Sequence, residues 1–508
     1  LIKETRQMSC EENDRRIAPG FCRNVFITGG TGFMGKVLVY KLLLSCHDLG
    51  NVFLLIREKK GVDPLNDDKQ EPFKSIKEKH PEKIKKIVLL NGDTTLGNLG
   101  LTPSNKERLL REVSVIFHMA ANVKFDLTLK EALRINTQGT MNVIALAKEM
   151  SHLESFIHVS TSYCHCNEMV LEERAYPVDT EPEKVMATVK QMSDEDFETM
   201  TPKMLGGQPN TYAFSKGLSE DLVERSGLYA GVVRPSIVTA SWKEPVPGWV
   251  ENLNGPTGLL IGAGKGVIRS FLCNYDYLIT VIPCDMAINS IIALAWKVGL
   301  ERPPKPIYIN TTSGMENPIS WGATIDTGKK HIFATAFTGV LWYPGGTVTS
   351  SKLYHWFRVI FFHFLPACLL DTFITLTGNK PFLLRVQRKV TSGLKLLQYY
   401  TTKQWIFQND RLRELQSQLC PSDREEFFMD TKALDWDDYI LQYMKGTRQY
   451  CLKDDPSTIP RAQKVLTYLY YTDWFLKIAF IIFAIWMLYS VMMPFKEVTT
   501  TIFDVDEI

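Results

Sequence analysis

The amino-acid sequence predicts an α/β protein: a Rossmann-type doubly wound parallel sheet, followed by a smaller helical C-terminal domain and a C-terminal transmembrane helix. Three observations support this prediction. Apolar runs of strand length alternate with helix-length amphipathic stretches, a glycine-rich turn follows the first run, and a long uncharged stretch lies near the C-terminus. At 508 residues the chain exceeds what one hydrophobic core usually serves, so we expect more than one domain.

Seven apolar runs have the length of buried parallel strands. They are Val25–Thr28, Val52–Ile56, Ile87–Leu90, Val115–His118, Phe156–Ser160, Gly231–Val233 and Ile307–Asn310. Stretches of helical pattern separate them, such as Lys36–Leu44 and Thr140–Glu149. Because strands that alternate with helices form one parallel sheet, we predict a single sheet-based domain over residues 21–330. Residues 1–20 are polar and are predicted to form a tail.

The rest of the chain divides into apolar and charged segments. We predict a membrane-associated segment over 353–377, a helical domain over 383–455, a transmembrane helix over 474–495 and an acidic tail over 496–508. The uncharged part of that helix, Ile478–Phe495, extends about 27 Å at about 1.5 Å per residue, close to the hydrocarbon thickness of a bilayer. Basic residues precede it and acidic residues follow it, which predicts that the bulk of the chain faces the cytosol.

The earlier apolar segment contains His363, Pro366 and Asp371, each of which is costly or disruptive in hydrocarbon. If this segment crossed the membrane once, the two domains would lie on opposite sides. A hairpin bent near Pro366, or an interfacial helix, keeps both on the cytosolic side and is favoured.

Charge and cysteine usage restrict the class of partner. The formal net charge is +2 and no long basic block is present, so we expect no nucleic-acid partner. Ten scattered cysteines are typical of reduced, cytosolic thiols. The nearest approach to a metal cluster is Cys164, His165 and Cys166, but adjacent strand residues point to opposite faces, so no metal is predicted.

The turn after the first strand has the pattern that a dinucleotide pyrophosphate requires. Gly29 permits a tight turn, Gly32 allows the backbone to approach the phosphates, and Gly35 opens the following helix, whose N-terminus supplies free N–H groups and a positive dipole. The candidate cofactor-binding residues of this turn are Gly29, Thr31, Gly32, Phe33, Met34 and Gly35.

Arg57 ends the second strand and is followed by Lys59 and Lys60. An NAD-preferring protein carries an acidic residue at this place to bind the ribose hydroxyl, whereas a guanidinium suits a 2′-phosphate. The alternative is an ordinary solvated arginine. Arg57 lies some twenty residues beyond the glycines, which argues against an ordinary surface arginine and favours NADPH as the cofactor.

The third and fourth strands end in further candidate cofactor-binding residues. Asp93 follows the third strand and could accept a hydrogen bond from the adenine amino group. Ala120 and Ala121 follow the fourth strand, where small side chains let a cofactor lie close. Taken singly, each of the three residues is more often a simple turn residue than a cofactor contact.

Tyr212 and Lys216 are four residues apart, so they share one face of a helix. Tyr399 and Lys403 repeat the spacing, but they lie outside the predicted sheet domain, and we therefore assign catalysis to Tyr212. A phenol with a pKa near 10 exchanges protons poorly at neutral pH, and we expect Lys216 to lower that pKa and to bind the nicotinamide ribose.

A third catalytic partner is expected among the hydroxyls that end the fifth strand, Ser160, Thr161 and Ser162. By register, Thr161 is the first choice and Ser160 the second.

These motifs together resemble the extended short-chain dehydrogenase/reductases and, more narrowly, the alcohol-forming fatty acyl-CoA reductases. The matching segments are ITGGTGFMGKVLVYKLL, FHMAANVKFD, FIHVSTSYC, NTYAFSKGLSE, VVRPSIVTASWKEPVPGWVENLNGPTGLLIGAGKG and LDWDDYILQYMKGTRQY. The resemblance implies reduction of a long-chain acyl-CoA to a primary alcohol and CoA with two NADPH, through hemithioacetal and aldehyde intermediates. It places Thr161 and Tyr212 on the carbonyl oxygen, with Pro235 and Ser236 beside the nicotinamide.

Two other classes share some of these features. A hydroxysteroid dehydrogenase or sugar-nucleotide epimerase would share the glycine turn and the Tyr/Lys pair, and a non-catalytic NADPH-binding membrane scaffold would share the fold. We expect a membrane location. The C-terminus carries neither a retention tetrapeptide nor a peroxisomal tripeptide and so does not select the organelle; the endoplasmic reticulum is the default and the peroxisome the alternative.

Overall fold

A computed structural model describes residues 24–57 and 71–503, with side chains described for residues 24–57 and 72–490. Its centre is a seven-stranded parallel sheet with the strand order β7-β6-β5-β4-β1-β2-β3. The strands are β1 (Val25–Thr28), β2 (Val52–Ile56), β3 (Ile87–Asn91), β4 (Val115–His118), β5 (Ser155–Val159), β6 (Ala230–Pro235) and β7 (Ile307–Thr311). All seven predicted strands are confirmed, with small shifts at their ends.

The sheet forms from these runs because helices cover both of its faces, so strand residues on both sides are apolar. Val25 and Ile27 belong to one hydrophobic cluster and Phe26 to the other. The chain builds β1 to β3 outward and then returns to place β4 on the other side of β1. Ligands of open α/β sheets bind at such a reversal of strand order, outside the carboxyl ends of the strands.

Six helices border the candidate site or form the apolar segments. They are α1 (Phe33–Ser45), α2 (Thr211–Glu224), α3 (Pro256–Gly264), α4 (Lys352–Leu376), α5 (Leu383–Thr401) and α6 (Ile459–Phe503). The remaining α-helices are Glu71–Lys79, Pro81–Ile84, Pro103–Glu112, Leu129–Ala132, Gly139–Lys148, Pro182–Gln191, Asp194–Leu205, Cys284–Glu301, Trp321–Lys330, Asp410–Gln418, Pro421–Glu426 and Trp436–Gly446. Helix 129–148 is continuous through a π-turn at Leu133–Gln138.

Short two-stranded pairings join the loops around this core. The strands involved are Val170–Leu171 with Ile406–Phe407, Ile237–Thr239 with Val281–Pro283, Ser270–Leu272 with Thr347–Thr349, and Leu278–Ile279 with Ile319–Ser320. The first pairing brings the C-terminal helical region against the loop that follows β5.

The helical region predicted over 383–455 packs directly on the sheet domain. Leu412 and Leu415 belong to the same hydrophobic cluster as β1, and Ile440 and Met444 pack with Trp321. The two regions therefore share cores.

The apolar segment forms one helix, α4, which is continuous through Pro366. The hairpin that was expected near Pro366 is thus not observed, and the segment is a single helix. A π-turn at Ile360–Phe364 immediately precedes the proline and loosens the ladder of backbone hydrogen bonds where the proline lacks an N–H. The chain reverses after Leu376 and enters α5 at Leu383.

Candidate active site

The glycine turn lies at the reversal of strand order, between the ends of β1 and β4. Gly29 has a φ of +78°, and a Cβ atom there would lie 2.8 Å from the backbone nitrogen of Ala120. A Cβ atom on Gly35 would lie 2.2 Å from the carbonyl oxygen of Gly29. Both positions therefore require glycine: one for its backbone conformation and its neighbour, the other for close packing of α1 on the turn.

The first turn of α1 offers unpaired backbone donors. Gly32 is the N-cap residue and provides no side-chain hydrogen bond to the helix, so the N–H groups of Phe33, Met34 and Gly35 lack the partners that a serine or aspartate cap supplies. A pyrophosphate fits this arrangement, because it would accept those N–H groups at the positive end of the helix dipole. Thr31 and Gly32 are exposed beside it.

Two further candidates, Arg57 and Asp93, lie near the ends of neighbouring strands. Arg57 directly follows β2 and is exposed, whereas Lys59 and Lys60 lie outside the described residues. The carboxylate of Asp93 accepts a hydrogen bond from the backbone N–H of Thr95 at 2.8 Å, which is the geometry of a turn residue. Arg57 and Asp93 do not line the main cavity described below.

Tyr212 occupies the first turn of α2. The side chain of Asn210 caps this helix by accepting the N–H of Ala213 at 2.9 Å, which fixes where the helix starts. The Tyr212 ring lies 5.8 Å from that of Phe125, and Tyr212 and Thr161 line the same cavity, with the Thr161 hydroxyl near enough to influence the Tyr212 phenol. The structure therefore brings together Tyr212 and the hydroxyl residue that was the first choice by register.

Lys216 lies one turn further along α2 and is buried. Its Nζ donates to the Val159 carbonyl at 2.6 Å, at the end of β5. Burial lowers the pKa of Lys216 to about 8, although the charge of Glu220 opposes this shift. Lys216 is thus mainly protonated at neutral pH.

The expected lowering of the Tyr212 pKa by Lys216 is wrong for this structure. Burial raises the pKa of Tyr212 above its ordinary value, and the nearby Thr161 hydroxyl only partly opposes that rise. The Lys216 ammonium donates to the Val159 carbonyl instead. A neutral phenol is the form that a reduction needs, because it can donate a proton.

Two buried hydroxyls at the ends of β5 and β6 have no hydrogen-bond partner within the described residues. They belong to Ser160 and Ser236, and both line the cavity together with Pro235. Because an unpaired buried hydroxyl is costly, this pair is well suited to bind a polar group of a ligand.

A buried charged cluster lies around Glu220 of α2. The carboxylate of Glu220 accepts two hydrogen bonds from Arg234, at 2.6 and 2.9 Å, and approaches His165 Nε2 and Cys164 Sγ at 3.1 Å each. Cys164, His165 and Glu220 could geometrically hold a metal ion, but the guanidinium already neutralises the carboxylate. Cys166 donates instead to the Tyr163 carbonyl.

One cavity of about 830 Å³ joins these features. Of the predicted residues, it is lined by Gly29, Gly32, Phe33, Met34, Gly35, Ala121, Ser160, Thr161, Tyr212, Lys216, Pro235 and Ser236. It extends past them between α3 and α5, where the walls are mainly apolar. The residues of that extension that the sequence did not single out include Leu253, Leu259, Ile268, Val390, Leu394, Leu397 and Tyr400.

The dinucleotide turn, the Tyr/Lys pair and the Thr161 hydroxyl around one cavity define an oxidoreductase of the short-chain reductase type with a nicotinamide cofactor. Comparison with known proteins agrees. Family models described as "Male sterility protein" match residues 27–291 and 362–454, and the first is a model for a nicotinamide-dinucleotide-binding domain.

The sequence is similar to named acyl reductases. Fatty acyl-CoA reductase 1 of Homo sapiens is 36% identical over 88% of each chain. Fatty acyl-CoA reductase wat of Drosophila melanogaster is 34% identical, covering 93% of this chain and 92% of its own. The chain therefore belongs to the fatty acyl-CoA reductase family.

Solved structures support the fold. The terminal R domain from the myxalamid PKS-NRPS biosynthetic pathway aligns with a TM-score of 0.54 and 18% identity, over 84% of this chain and 90% of that domain. The reductase domain of a nonribosomal peptide synthetase from Mycobacterium tuberculosis gives 0.53 and 17%, over 84% and 91%.

Proposed function

We propose that this protein reduces a long-chain fatty acyl-CoA to a primary alcohol and CoA and consumes two NADPH. The observation that supports this most directly is that Tyr212 and Thr161 line one cavity whose walls between α3 and α5 are mainly apolar. Family membership supports the thioester substrate. A hydroxysteroid dehydrogenase, an epimerase or a non-catalytic scaffold is less consistent with the identity over most of the chain.

NADPH is proposed as the cofactor because Arg57 stands at the end of β2, where a 2′-phosphate would lie. The pyrophosphate would accept the N–H groups at the start of α1, and Ser160, Pro235 and Ser236 would line the nicotinamide. When bound, the cofactor supplies hydride to the carbonyl carbon. Asp93 and the alanines Ala120 and Ala121 would border its adenosine half.

Thr161 and Tyr212 both direct hydroxyls at one place, so they can donate hydrogen bonds to the thioester carbonyl oxygen. As hydride reaches the carbonyl carbon, negative charge develops on that oxygen, and the two donors stabilise it. The resulting hemithioacetal, formed as its alkoxide, collapses: the carbonyl re-forms, the C–S bond breaks, CoA leaves as a thiolate that takes a proton from water, and an aldehyde remains.

The aldehyde occupies the same pair of donors in the second half-reaction. A second hydride converts it to an alkoxide, and Tyr212 gives its proton to that oxygen. Lys216, protonated below a pKa of about 8, lines the same cavity and would bind the nicotinamide ribose. Two hydrides and two protons are consumed for each alcohol.

We propose that the protein is membrane-bound through α6, with its catalytic part facing the cytosol. Two helices are long and apolar enough to cross a membrane, Lys352–Leu376 and Pro456–Ser490. The endoplasmic reticulum is the proposed compartment, with the peroxisomal membrane second.

The test is an assay of purified full-length protein with NADPH or NADH and acyl-CoAs of increasing chain length. Alcohol, aldehyde and oxidised cofactor are measured. We expect alcohol with NADPH and a loss of at least about a hundredfold in kcat for Tyr212→Phe. Undiminished turnover by Tyr212→Phe would contradict the assigned role, and the absence of any reduced product would contradict the function.

A further inference from the structure

Helix α4 is attached to the walls of the cavity through its polar residues. His363, which is 1% exposed, accepts the backbone N–H groups of Arg269 and Ser270 at 2.8 and 3.1 Å, next to the cavity-lining Ile268. Asp371 accepts three backbone N–H groups at the start of α5, at 2.8 to 3.0 Å. Two of the three residues that make this segment an unfavourable membrane span therefore form its polar contacts with the protein.

Only a narrow stripe of α4 is buried. Val359, His363, Ala367 and Asp371 recur every four residues and face the protein. Apolar and aromatic side chains cover the rest of the helix and are exposed: Leu353, Tyr354, Trp356, Phe357, Ile360, Phe361, Phe362, Leu365, Leu369, Leu370, Phe373 and Leu376. So large a contiguous apolar surface marks an interaction site.

Helix α6 leaves the protein surface next to the middle of α4. Asp473 is the last buried residue of α6 among those with described side chains. It accepts hydrogen bonds from Trp342 at 2.6 Å and from the Arg269 side chain at 3.3 Å. Because the backbone N–H of Arg269 also binds His363, the middle of α4 lies at this level, where Trp474 begins the fully exposed part of α6.

The exposed side of α5 next to α4 is basic. It carries Arg385, Arg388, Lys389 and Lys395. Positive charge beside an exposed apolar helix complements anionic phospholipid headgroups above the acyl chains. The same helix lines the cavity through Val390, Leu394 and Leu397, and its Leu396 is both exposed and part of the lining.

We propose that α4 lies flat in the interface of an anionic bilayer and that the acyl chain of the substrate enters the apolar part of the cavity from that membrane, beside α5. The inference rests on the proposed function for the identity of the substrate. The bilayer covers the exposed apolar face, the basic side of α5 meets the headgroups, and α6 enters the membrane at the same level. The acyl chain then passes from lipid to cavity without exposure to water.

The placement of α4 is tested in nanodiscs of phosphatidylcholine and phosphatidylserine. Single cysteines replace Leu353, Leu365 and Leu376 in a full-length Cys368→Ser background, because Cys368 is exposed, and each carries a bimane fluorophore. Cys368→Ser protein without an added cysteine is labelled in the same way and measures the background signal from the other thiols. Nitroxides are placed on the lipid chains at a shallow or a deep carbon.

We expect all three positions to be quenched most by the shallow nitroxide. A membrane-spanning α4 would instead place position 365 near the deep nitroxide, and α4 away from the membrane would show no quenching. Either result overturns the proposed placement. Because this readout does not depend on turnover, it stands even if the assay for alcohol formation fails.

Delivery from the membrane is tested with a Leu369→Glu/Phe373→Glu variant and a Leu300→Glu control. All three residues are exposed, and none of them lines the cavity. We expect the double variant to raise the KM for vesicle-borne palmitoyl-CoA by about tenfold or more, because burial of a single leucine or phenylalanine contributes more than a tenfold change.

Turnover of water-soluble octanoyl-CoA should stay within about twofold of wild type in both variants. Leu300→Glu should leave both substrates unaffected. An unchanged KM for palmitoyl-CoA in the double variant, or an equal loss with octanoyl-CoA, would overturn entry from the membrane. A wild-type protein that reduces neither substrate would contradict the proposed function instead.

Discussion

Replacement of Gly35 by alanine tests the packing of α1 on the dinucleotide turn. The added Cβ would lie 2.2 Å from the Gly29 carbonyl oxygen and 2.7 Å from the Gly30 Cα. An ordinary contact needs about 3.2 Å or more, so the helix must move from the turn by about 1 Å. Overpacking of this kind costs about 1–3 kcal/mol of folding free energy.

The same displacement moves the N–H groups at the start of α1 away from the pyrophosphate. We expect the Kd for NADPH to rise at least about tenfold, equivalent to about 1.4 kcal/mol. The assay is titration of NADPH fluorescence in detergent-solubilised protein, with thermal unfolding measured in parallel. Lower Tm and weaker NADPH binding should appear together.

Gly328→Ala is the matched control. It lies in the helix Trp321–Lys330, and a Cβ there would meet nothing within 4 Å. Since alanine favours a helix over glycine by up to about 1 kcal/mol, this variant should be at least as stable as wild type and bind NADPH equally. Wild-type NADPH affinity in Gly35→Ala would refute the packing argument.

Three further predictions concern charge. As the pH rises through the Lys216 pKa of about 8, protonated Lys216 is lost and kcat/KM for reduction should fall. Tyr212 stays protonated over this range, because burial raises its pKa above 10. The Lys216→Met variant should therefore lose the decrease in kcat/KM near pH 8. Glu220→Gln leaves the buried guanidinium of Arg234 without its counter-charge and should lower the free energy of unfolding by about 3–5 kcal/mol. Joint replacement of Glu220 and Arg234 by apolar residues should recover much of that loss. Chemical denaturation measures both effects. Arg57→Glu should raise the KM for NADPH and lower that for NADH if the guanidinium binds the 2′-phosphate, and equal changes for both cofactors would exclude that role.

Much of the sheet domain could be predicted because its signals are local. A parallel strand covered on both faces must be apolar throughout, so runs such as Val52–Ile56 mark strands almost to the residue. Tyr212 and Lys216 share a helix face because four residues make about one turn, and the register of β5 placed Thr161 next to them.

The outer half of the cavity could not be predicted in the same way. Its wall is formed by α5, which is more than 150 residues from Tyr212 in sequence, and the helical periodicity of α5 does not indicate which element it covers. The role of Asp371 could not be predicted for a related reason. A carboxylate in an apolar segment indicates a free-energy cost of burial in hydrocarbon, but only the chain reversal after Leu376 shows that Asp371 caps the next helix.

The pKa of Tyr212 shows a third limit. Sequence spacing suggested that Lys216 would lower it, but spacing carries no information about burial. In the structure, desolvation of the phenol dominates, and the ammonium is directed at the Val159 carbonyl.

In the proposed reaction, one carbon atom receives two hydrides at the Tyr212 site. The most direct measurement is mass spectrometry of the product formed by full-length protein from palmitoyl-CoA and NADPH deuterated at both C4 positions. We expect hexadecanol with two deuterium atoms on C1 and two oxidised cofactors for each alcohol. Release of singly deuterated aldehyde as the final product, with one cofactor oxidised, would contradict it.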